Sequence, residues 1–397
     1  MSKIKTFLLL KEQSPELIHR FASGLINDND LINALAKGNI FYDIQDEFKK
    51  NASVFAQSFF SNGCIPFDIV KKNVISMAEN PLMKLQAFYA FIMVSMGDYQ
   101  DEENANILKK LYDPYFLDAE GIAPFVVLRY INFLLKRNEK EKASIILKEY
   151  LKRHPVENTL EFLPIADLAC QNGITNEDIT TASKLYQTIM GNVENRLLEN
   201  YIDKFGKDAS IAIVGNGPYE LGLGKGEQID AHDIVVRFNA YDDSEKYTID
   251  YGKKTNIVFY DPCSPRATTL YDRKIELYVI YSLFWSTFST EGIKKFKKEP
   301  FTNITTLDFL PIIEQTQKLY NINWPTTGFR AVYLFKNILN KKNIDIYGMY
   351  FSKGRVMSGH YEDIYKFGDF NKLEYHNLNI ELKAMQDMFR AESNDKK

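Results

Sequence analysis

Ser210-Ile-Ala-Ile-Val-Gly-Asn-Gly-Pro218 is an apolar run that ends in a glycine turn, and His232-Asp-Ile-Val-Val-Arg-Phe-Asn239 is a second apolar run shortly after it. Two such runs predict neighbouring strands of an α/β sheet. Asn216 follows the first run and Asn239 ends the second. Ligands bind at the carboxyl ends of strands in open α/β sheets, and an amide side chain both accepts and donates hydrogen bonds. The two asparagines therefore predict a site for a base, a ribose or a phosphate.

The chain after residue 210 repeats this pattern of short apolar runs separated by helical spacing. The runs lie at 210–215, 233–238, 254–260, 275–282 and 343–348. They predict an α/β fold with a Rossmann-like, mostly parallel sheet flanked by helices. Residues before about 200 have helical spacing instead. We therefore predict an all-helical domain over residues 1–203 and an α/β domain over residues 204–397.

The helical half contains a candidate repeat. Residues 130–155 predict two antiparallel helices joined near Asn138, and residues 97–114 end in a similar way. Pro114 and Pro155 are one helical-repeat length apart, which is typical of tetratricopeptide-like hairpins. An irregular helical bundle explains the same residues equally well. Both interpretations stay open.

Composition excludes several classes of protein. A hydrophobic content of 45% over 397 residues indicates a folded chain, and a net charge of −3 gives no basic surface for nucleic acid. Cys64, Cys170 and Cys263 are too few and too widely spaced for a disulfide framework or a zinc site. No apolar stretch reaches the length of a membrane span or a signal peptide. We expect a soluble, cytoplasmic protein, and peripheral membrane contact stays open.

The glycine turn is close to a dinucleotide-binding fingerprint but departs from it at one position. In Gly215-Asn-Gly-Pro-Tyr-Glu220, a glutamate occupies the place of the third glycine. Its charge would face a pyrophosphate, so the sequence disfavours a nicotinamide or flavin enzyme. A tight turn without a ligand is the alternative for this segment alone.

A helix start follows Trp324. In Pro325-Thr-Thr-Gly328, either Thr326 or Thr327 can cap the helix, and Gly328 lets an anion approach its first N–H groups. The positive end of the helix dipole favours a phosphate or a carboxylate. This segment predicts the second half of a nucleotide site.

Two of the five histidines, His360 and His376, lie in the C-terminal part of the chain. Histidine is the side chain best suited to take a proton from a hydroxyl near neutral pH. No metal site is expected, because the loops after the strands contain no DxD-like motif. Asp242-Asp243 is the nearest approach to one, and we assign it no metal.

Taken in this order, the segments resemble the sialylmotifs of the family 29 sialyltransferases over residues 209–385. The large motif corresponds to 211–239 with 250–255, the small motif to 325–348, the third motif to His360-Tyr361-Glu362, and the very small motif to His376 with Glu381. The glycine turn and Val258-Phe-Tyr-Asp-Pro262 also resemble the bacterial family 42 sialyltransferases. Ile211 stands where animal members of family 29 have a cysteine, which agrees with a bacterial, cytoplasmic enzyme.

The resemblance implies an inverting, metal-independent transferase without a cofactor. It would move a 2-keto-3-deoxy sugar acid from CMP to a glycan hydroxyl. Sialic acid is the default sugar, and Kdo or another nonulosonate is the alternative. The acceptor would be a glycan or a lipid-linked oligosaccharide in bacterial surface polysaccharide synthesis, at the inner face of the inner membrane.

The resemblance also implies the site residues. His376 would be the base, oriented by Glu381, and His360 would hydrogen-bond the departing phosphate. The donor would be bound by Asn216, Gly217, Asn239, Thr326, Thr327, Gly328 and Tyr361. Asp261 stands where family 42 has an asparagine, which puts an acid near the anionic donor. A dinucleotide-dependent oxidoreductase and a non-catalytic helical-repeat scaffold are the alternative functions.

Overall fold

A computed structural model describes residues 106, 124–262, 265–281, 283–284, 286–322, 325–349 and 378–394. The chain divides into two compact units, Met1–Asn158 and Thr159–Lys397. The helices over residues 163–203 thus lie in the same unit as the sheet. The domain boundary expected between residues 203 and 204 stays a prediction.

The described part of the first unit contains a helix pair. Helices α1 (Pro124–Lys136) and α2 (Lys140–Leu151) are joined by a turn in which Asn138 has a left-handed φ of 61°. One face of α2 is buried, and it carries Ala143, Ile146, Leu147 and Tyr150. The predicted helix pair with its junction near Asn138 is confirmed. Apart from residue 106, the second candidate repeat lies outside the described residues.

The second unit is built around a six-stranded, fully parallel sheet. Its strands are β1 (Ile211–Val214), β2 (Ile234–Phe238), β3 (Ile257–Tyr260), β4 (Leu277–Tyr281), β5 (Ile304–Leu307) and β6 (Ile344–Tyr347). Their order in the sheet is β5-β4-β3-β2-β1-β6. The α/β fold class with a parallel sheet is confirmed, and five of the strands coincide with the predicted runs. Strand β5 was not predicted.

Helices surround the sheet. They are α3 (Leu163–Gln171), α4 (Glu177–Glu194), α5 (Leu197–Asp203), α6 (Gly226–Asp230), α7 (Glu245–Tyr251), α8 (Thr290–Lys298), α9 (Leu310–Tyr320), α10 (Thr327–Tyr333) and α11 (Leu378–Asn394). Shorter helical turns lie at Val156–Thr159, Pro218–Glu220 and Pro265–Asp272, and a π-helical turn, Leu334–Ile338, continues α10. None of the helices in the described ranges is long and apolar enough to cross a bilayer.

Alternating side chains of the strands pack on opposite faces of the sheet. Ile211 and Ile213 of β1 join a core with residues of α5, α9, α10 and α11. Ala212 and Val214 join a second core with Ile229 of α6 and two tyrosines of α7. Because helices cover both faces, the central strands are apolar apart from buried Arg237 of β2, as parallel strands are in α/β proteins.

The strand order creates a crevice between β1 and β6. Strands β2 to β5 follow one another on one side of β1, and β6 then pairs with β1 on its other side. The chain thus reverses direction across the sheet at this point, and ligands of open α/β sheets bind at such switch points, outside the carboxyl ends of the strands. The glycine turn that contains Asn216 lies at this edge.

Candidate active site

The glycine turn after β1 and the end of β6 are in backbone contact. The N–H of Gly215 donates to the carbonyl of Tyr347 at 2.8 Å, and the N–H of Gly217 donates to that of Gly348 at 2.8 Å. A Cβ atom on Gly215 would lie 2.6 Å from the carbonyl oxygen of Gly348. Gly348 itself has a φ of +60°. Only glycines fit this close approach, and half-buried Asn216 is held between the two contacts.

Glu220 bridges the two sides of the crevice. This buried carboxylate accepts a hydrogen bond from the N–H of Gly348 at 3.3 Å, although the dinucleotide fingerprint would have a glycine here. The hydroxyl of Tyr251 donates to the carbonyl of Gly217 at 2.6 Å and fixes the turn from below. Glu220, the residue that disfavours a pyrophosphate, therefore stabilises the contact between the glycine turn and the end of β6.

The two predicted asparagines bind the protein through opposite ends of the side-chain amide, one through its nitrogen and the other through its oxygen. Asn216 donates from Nδ2 to the carbonyls of Phe238 and Ala240, at 3.0 and 3.4 Å. Asn239, with a left-handed φ of 50°, accepts at Oδ1 from the N–H of Asp261 at 3.1 Å. A carbonyl can only accept and an N–H can only donate, so these partners determine both amide orientations. In the described part of the chain, Oδ1 of Asn216 and Nδ2 of Asn239 have no partner.

The two threonines at the start of α10 have different hydrogen-bond partners. Thr326 caps α10, because its Oγ1 accepts from the N–H of Phe329 at 3.2 Å. The same hydroxyl donates to Oε2 of Glu381 at 2.7 Å, and the N–H of Thr326 donates to Oε1 at 2.7 Å. Its hydroxyl proton is thus already used within the protein. Thr327 and Gly328 follow it and are half-buried.

One methionine brings the two predicted halves of the site together. A Cβ atom on Gly215 would lie 2.7 Å from Cγ of Met349, and a Cβ atom on Gly328 would lie 2.6 Å from its Cε. The side chain of Met349 therefore packs against both the asparagine turn and the start of α10. The predicted segments, far apart in sequence, lie at one crevice.

Tyr281, which ends β4, is buried close to the helix start. Burial raises the pKa of its hydroxyl well above the ordinary range, and Asp261 raises this pKa further. The neighbouring Thr327 hydroxyl and the Arg330 guanidinium lower it. Asp261 in turn binds Asn239 through its N–H.

A buried positive charge lies on α10, in the last turn of this short helix. Arg330 is 8% exposed, and burial lowers its pKa to about 10, against the opposing effect of Tyr281 and Glu381. It remains protonated at neutral pH, and its Nε donates to the carbonyl of Pro325 at 2.8 Å. Amide donors, a hydroxyl, a helix N-terminus and a nearby cation together suit an anionic nucleotide.

The other residues predicted for the site or considered for a metal are the two histidines, Tyr361 and the Asp242-Asp243 pair. His360, Tyr361 and His376 lie outside the described residues. Asp243 forms an ion pair with Arg273 at 3.3 Å. Within the described ranges, no group of three or more His, Cys, Asp or Glu residues is arranged to hold a metal ion.

Sequence reasoning missed Tyr281, Arg330 and Met349. Tyr281 had a usable signal, because it ends a predicted strand at the edge where the asparagines lie. Met349 also follows a predicted strand, but nothing about a methionine indicates contact with two glycines. The neighbours of the buried charge of Arg330 include the ring of Phe309 and Glu381 of α11, and no local pattern predicts this packing.

Residues 170–393, more than half of the chain, match the sequence model of glycosyltransferase family 29 (sialyltransferase). The chain belongs to this family, which confirms the resemblance. The similarity to family 42 stays a prediction.

Two solved structures are similar to the chain at 19% identity. One, a mammalian sialyltransferase in complex with Gal-β-1,3-GalNAc-ortho-nitrophenol, has a TM-score of 0.35 and aligns over 59% of this chain and 83% of its own. The other, a mammalian sialyltransferase, has a TM-score of 0.34 and aligns over 57% and 81%. Likeness at these scores carries no further inference. No curated protein sequence matches the chain.

Proposed function

We propose that this protein is an inverting, metal-independent glycosyltransferase that moves a sugar acid from a CMP donor to a glycan hydroxyl. Family membership establishes a glycosyltransferase of the sialyltransferase type. The observation that carries the finer proposal is the packing of Met349 against both Gly215 and Gly328. This packing supports a single donor site that combines the turn of Asn216 with the positive end of α10.

The polar groups of this crevice match the parts of a nucleoside monophosphate. Oδ1 of Asn216 can accept from a ribose hydroxyl or a base amine, and Nδ2 of Asn239 can donate to a base carbonyl or a phosphate oxygen. Gly217 would contribute as a turn residue of the donor site, because the ring of Tyr219 and the carbonyl of Gly348 fill the place of a Cβ atom. Thr327 and Gly328 would bind the phosphate or the sugar carboxylate at the helix N-terminus, with Tyr361 completing the donor site.

The reaction is a single displacement. His376 takes the proton of the acceptor hydroxyl as the oxygen bonds to the anomeric carbon, opposite the leaving group. The bond from that carbon to the phosphate oxygen breaks, and CMP leaves with the electron pair, which inverts the configuration. His360 hydrogen-bonds the phosphate, where negative charge develops. CMP carries a single phosphate, so hydrogen bonds and a helix N-terminus provide the stabilisation that a pyrophosphate would require from a metal.

The sugar and the acceptor are finer parts of the proposal. Sialic acid is the default, and Kdo or another nonulosonate has the same carboxylate and the same leaving group. A glycan or lipid-linked oligosaccharide of a bacterial surface polysaccharide is the proposed acceptor.

The test is CMP release from CMP-sialic acid and from CMP-Kdo, with water as acceptor and EDTA present. We expect release from at least one donor by the native protein. His376→Ala should abolish release while CMP still binds, and His154→Ala is the matched control because His154 lies in the other compact unit. No release from either donor, or release that requires a divalent metal, would contradict the proposal. Full activity of His376→Ala would remove the base.

A further inference from the structure

Glu381, in the first turn of α11, binds one residue with both of its carboxylate oxygens. Oε1 accepts from the N–H of Thr326 and Oε2 from its hydroxyl, both at 2.7 Å. The glutamate is completely buried. A buried carboxylate is costly unless it is hydrogen-bonded, and two short bonds to an anion are strong ones. This contact joins elements that are 55 residues apart.

The contact determines how α10 begins. The hydroxyl of Thr326 donates to Glu381 and accepts from the N–H of Phe329, so both its rotamer and the first turn are fixed. The negative charge of Glu381 also raises the pKa of Arg330 and offsets part of what burial removes. Thr327 and Gly328, the proposed anion-binding residues, come directly after the residue that Glu381 holds.

We propose that Glu381 is a positioning residue that acts through Thr326 and fixes the donor-binding start of α10. The proposal rests on the proposed function of this site. It also links the two halves of the reaction, because α11 begins at Leu378, shortly after His376 in the sequence. The same hydrogen bonds that place the donor-binding residues thus anchor the helix that follows the proposed base.

A double-mutant cycle with Glu381→Gln and Thr326→Val tests this role. Glutamine has one carbonyl oxygen and cannot accept both bonds, while valine keeps the shape of threonine without the hydroxyl. A displacement of about 1 Å at a reacting site can cost about 100-fold in rate, so each single variant should lower the kcat of CMP release by up to about that factor. The double variant should be no slower than the slower single variant, since both remove one interaction.

Two controls separate positioning from simple stabilisation. Thr326→Ser keeps the hydroxyl and should recover most of the kcat that Thr326→Val loses. Ser289 caps α8 in the same way, by accepting from the N–H of Gly292 at 3.1 Å. Ser289→Ala should therefore lower Tm without changing kcat. If Glu381→Gln does not fold, Thr326→Val compared with Thr326→Ser gives the same test.

The pH dependence of kcat distinguishes the two roles of Glu381. If it acts through Thr326, the midpoint of the acidic limb stays at its native value in Glu381→Gln. A shifted midpoint, together with rate losses that multiply in the double variant, would show that Glu381 orients His376 and would overturn the proposal. Loss of Tm with native kcat would overturn it as well. Failure of the native protein to bind CMP would instead refute the proposed function on which it rests.

Discussion

The asparagine pair and the threonine pair of this site divide their work in different ways. Asn216 and Asn239 each use one end of the amide to hold the strand ends and leave the other end without a partner in the described part of the chain. The threonines divide by residue instead. Thr326 uses its hydroxyl entirely within the protein, and Thr327 is the one next to Tyr281 and Arg330.

The comparison shows that identical residue types in one motif need not share a role. An amide has two functional ends and can support the fold and bind a ligand at once. A hydroxyl has one proton, so a threonine that donates to Glu381 cannot also donate to a phosphate. The donor site should therefore depend on both asparagines but directly on only one threonine.

The largest expected effect is that of Asn239→Ala on CMP affinity. The substitution removes the Nδ2 donor, and a hydrogen bond to a charged group is worth about 1.5–3 kcal/mol, so Kd should rise roughly 10- to 100-fold. Calorimetric titration measures it. Asn340→Ala is the matched control, because Asn340 is exposed and has a similar left-handed φ of 51°. Equal affinities of the two variants would mean that Asn239 acts only as a turn residue.

A smaller effect on CMP affinity is expected at the threonines. Comparing cytidine with CMP separates binding of the phosphate by Thr327 from capping of the helix by Thr326. Thr327→Val should weaken CMP about tenfold through one lost hydrogen bond and leave cytidine affinity unchanged. Thr326→Val should also lower Tm by about 2–4 °C, since loss of a helix cap costs about 1 kcal/mol. Thermal unfolding and calorimetry together measure both. A larger loss of Tm in Thr327→Val would reverse the assignment.

The sequence predicted five strands of the sheet and missed one edge strand, β5. The strands rich in Ile, Val and Tyr were found because buried parallel strands are continuous apolar runs. Strand β5, Ile304-Thr-Thr-Leu307, lies at an edge of the sheet, beside β4. Because it is short and contains two threonines, its run is too polar to stand out in the sequence. Only its β-branched residues indicated a strand.

The position of the two asparagines at strand ends was predictable, and their chemical role stays a prediction. Asn216 and Asn239 were found from position alone, since carboxyl ends of neighbouring strands meet at one edge. The bond between Glu381 and Thr326 was not predictable, because it depends on how α10 and α11 pack. Spacing suggested Glu381 as a partner for His376, which stays a prediction, and it gave no sign of the two hydrogen bonds from Glu381 to Thr326.

The most direct test of the central claim is a calorimetric titration of CMP into the native protein in EDTA, with UMP and NADH as comparison ligands. We predict one CMP site per chain whose affinity is unchanged by EDTA, with weaker binding of UMP and no binding of NADH. Binding of NADH or UMP without CMP, or CMP binding that disappears with EDTA, would contradict the assignment of the crevice between β1 and β6 to a metal-free CMP donor.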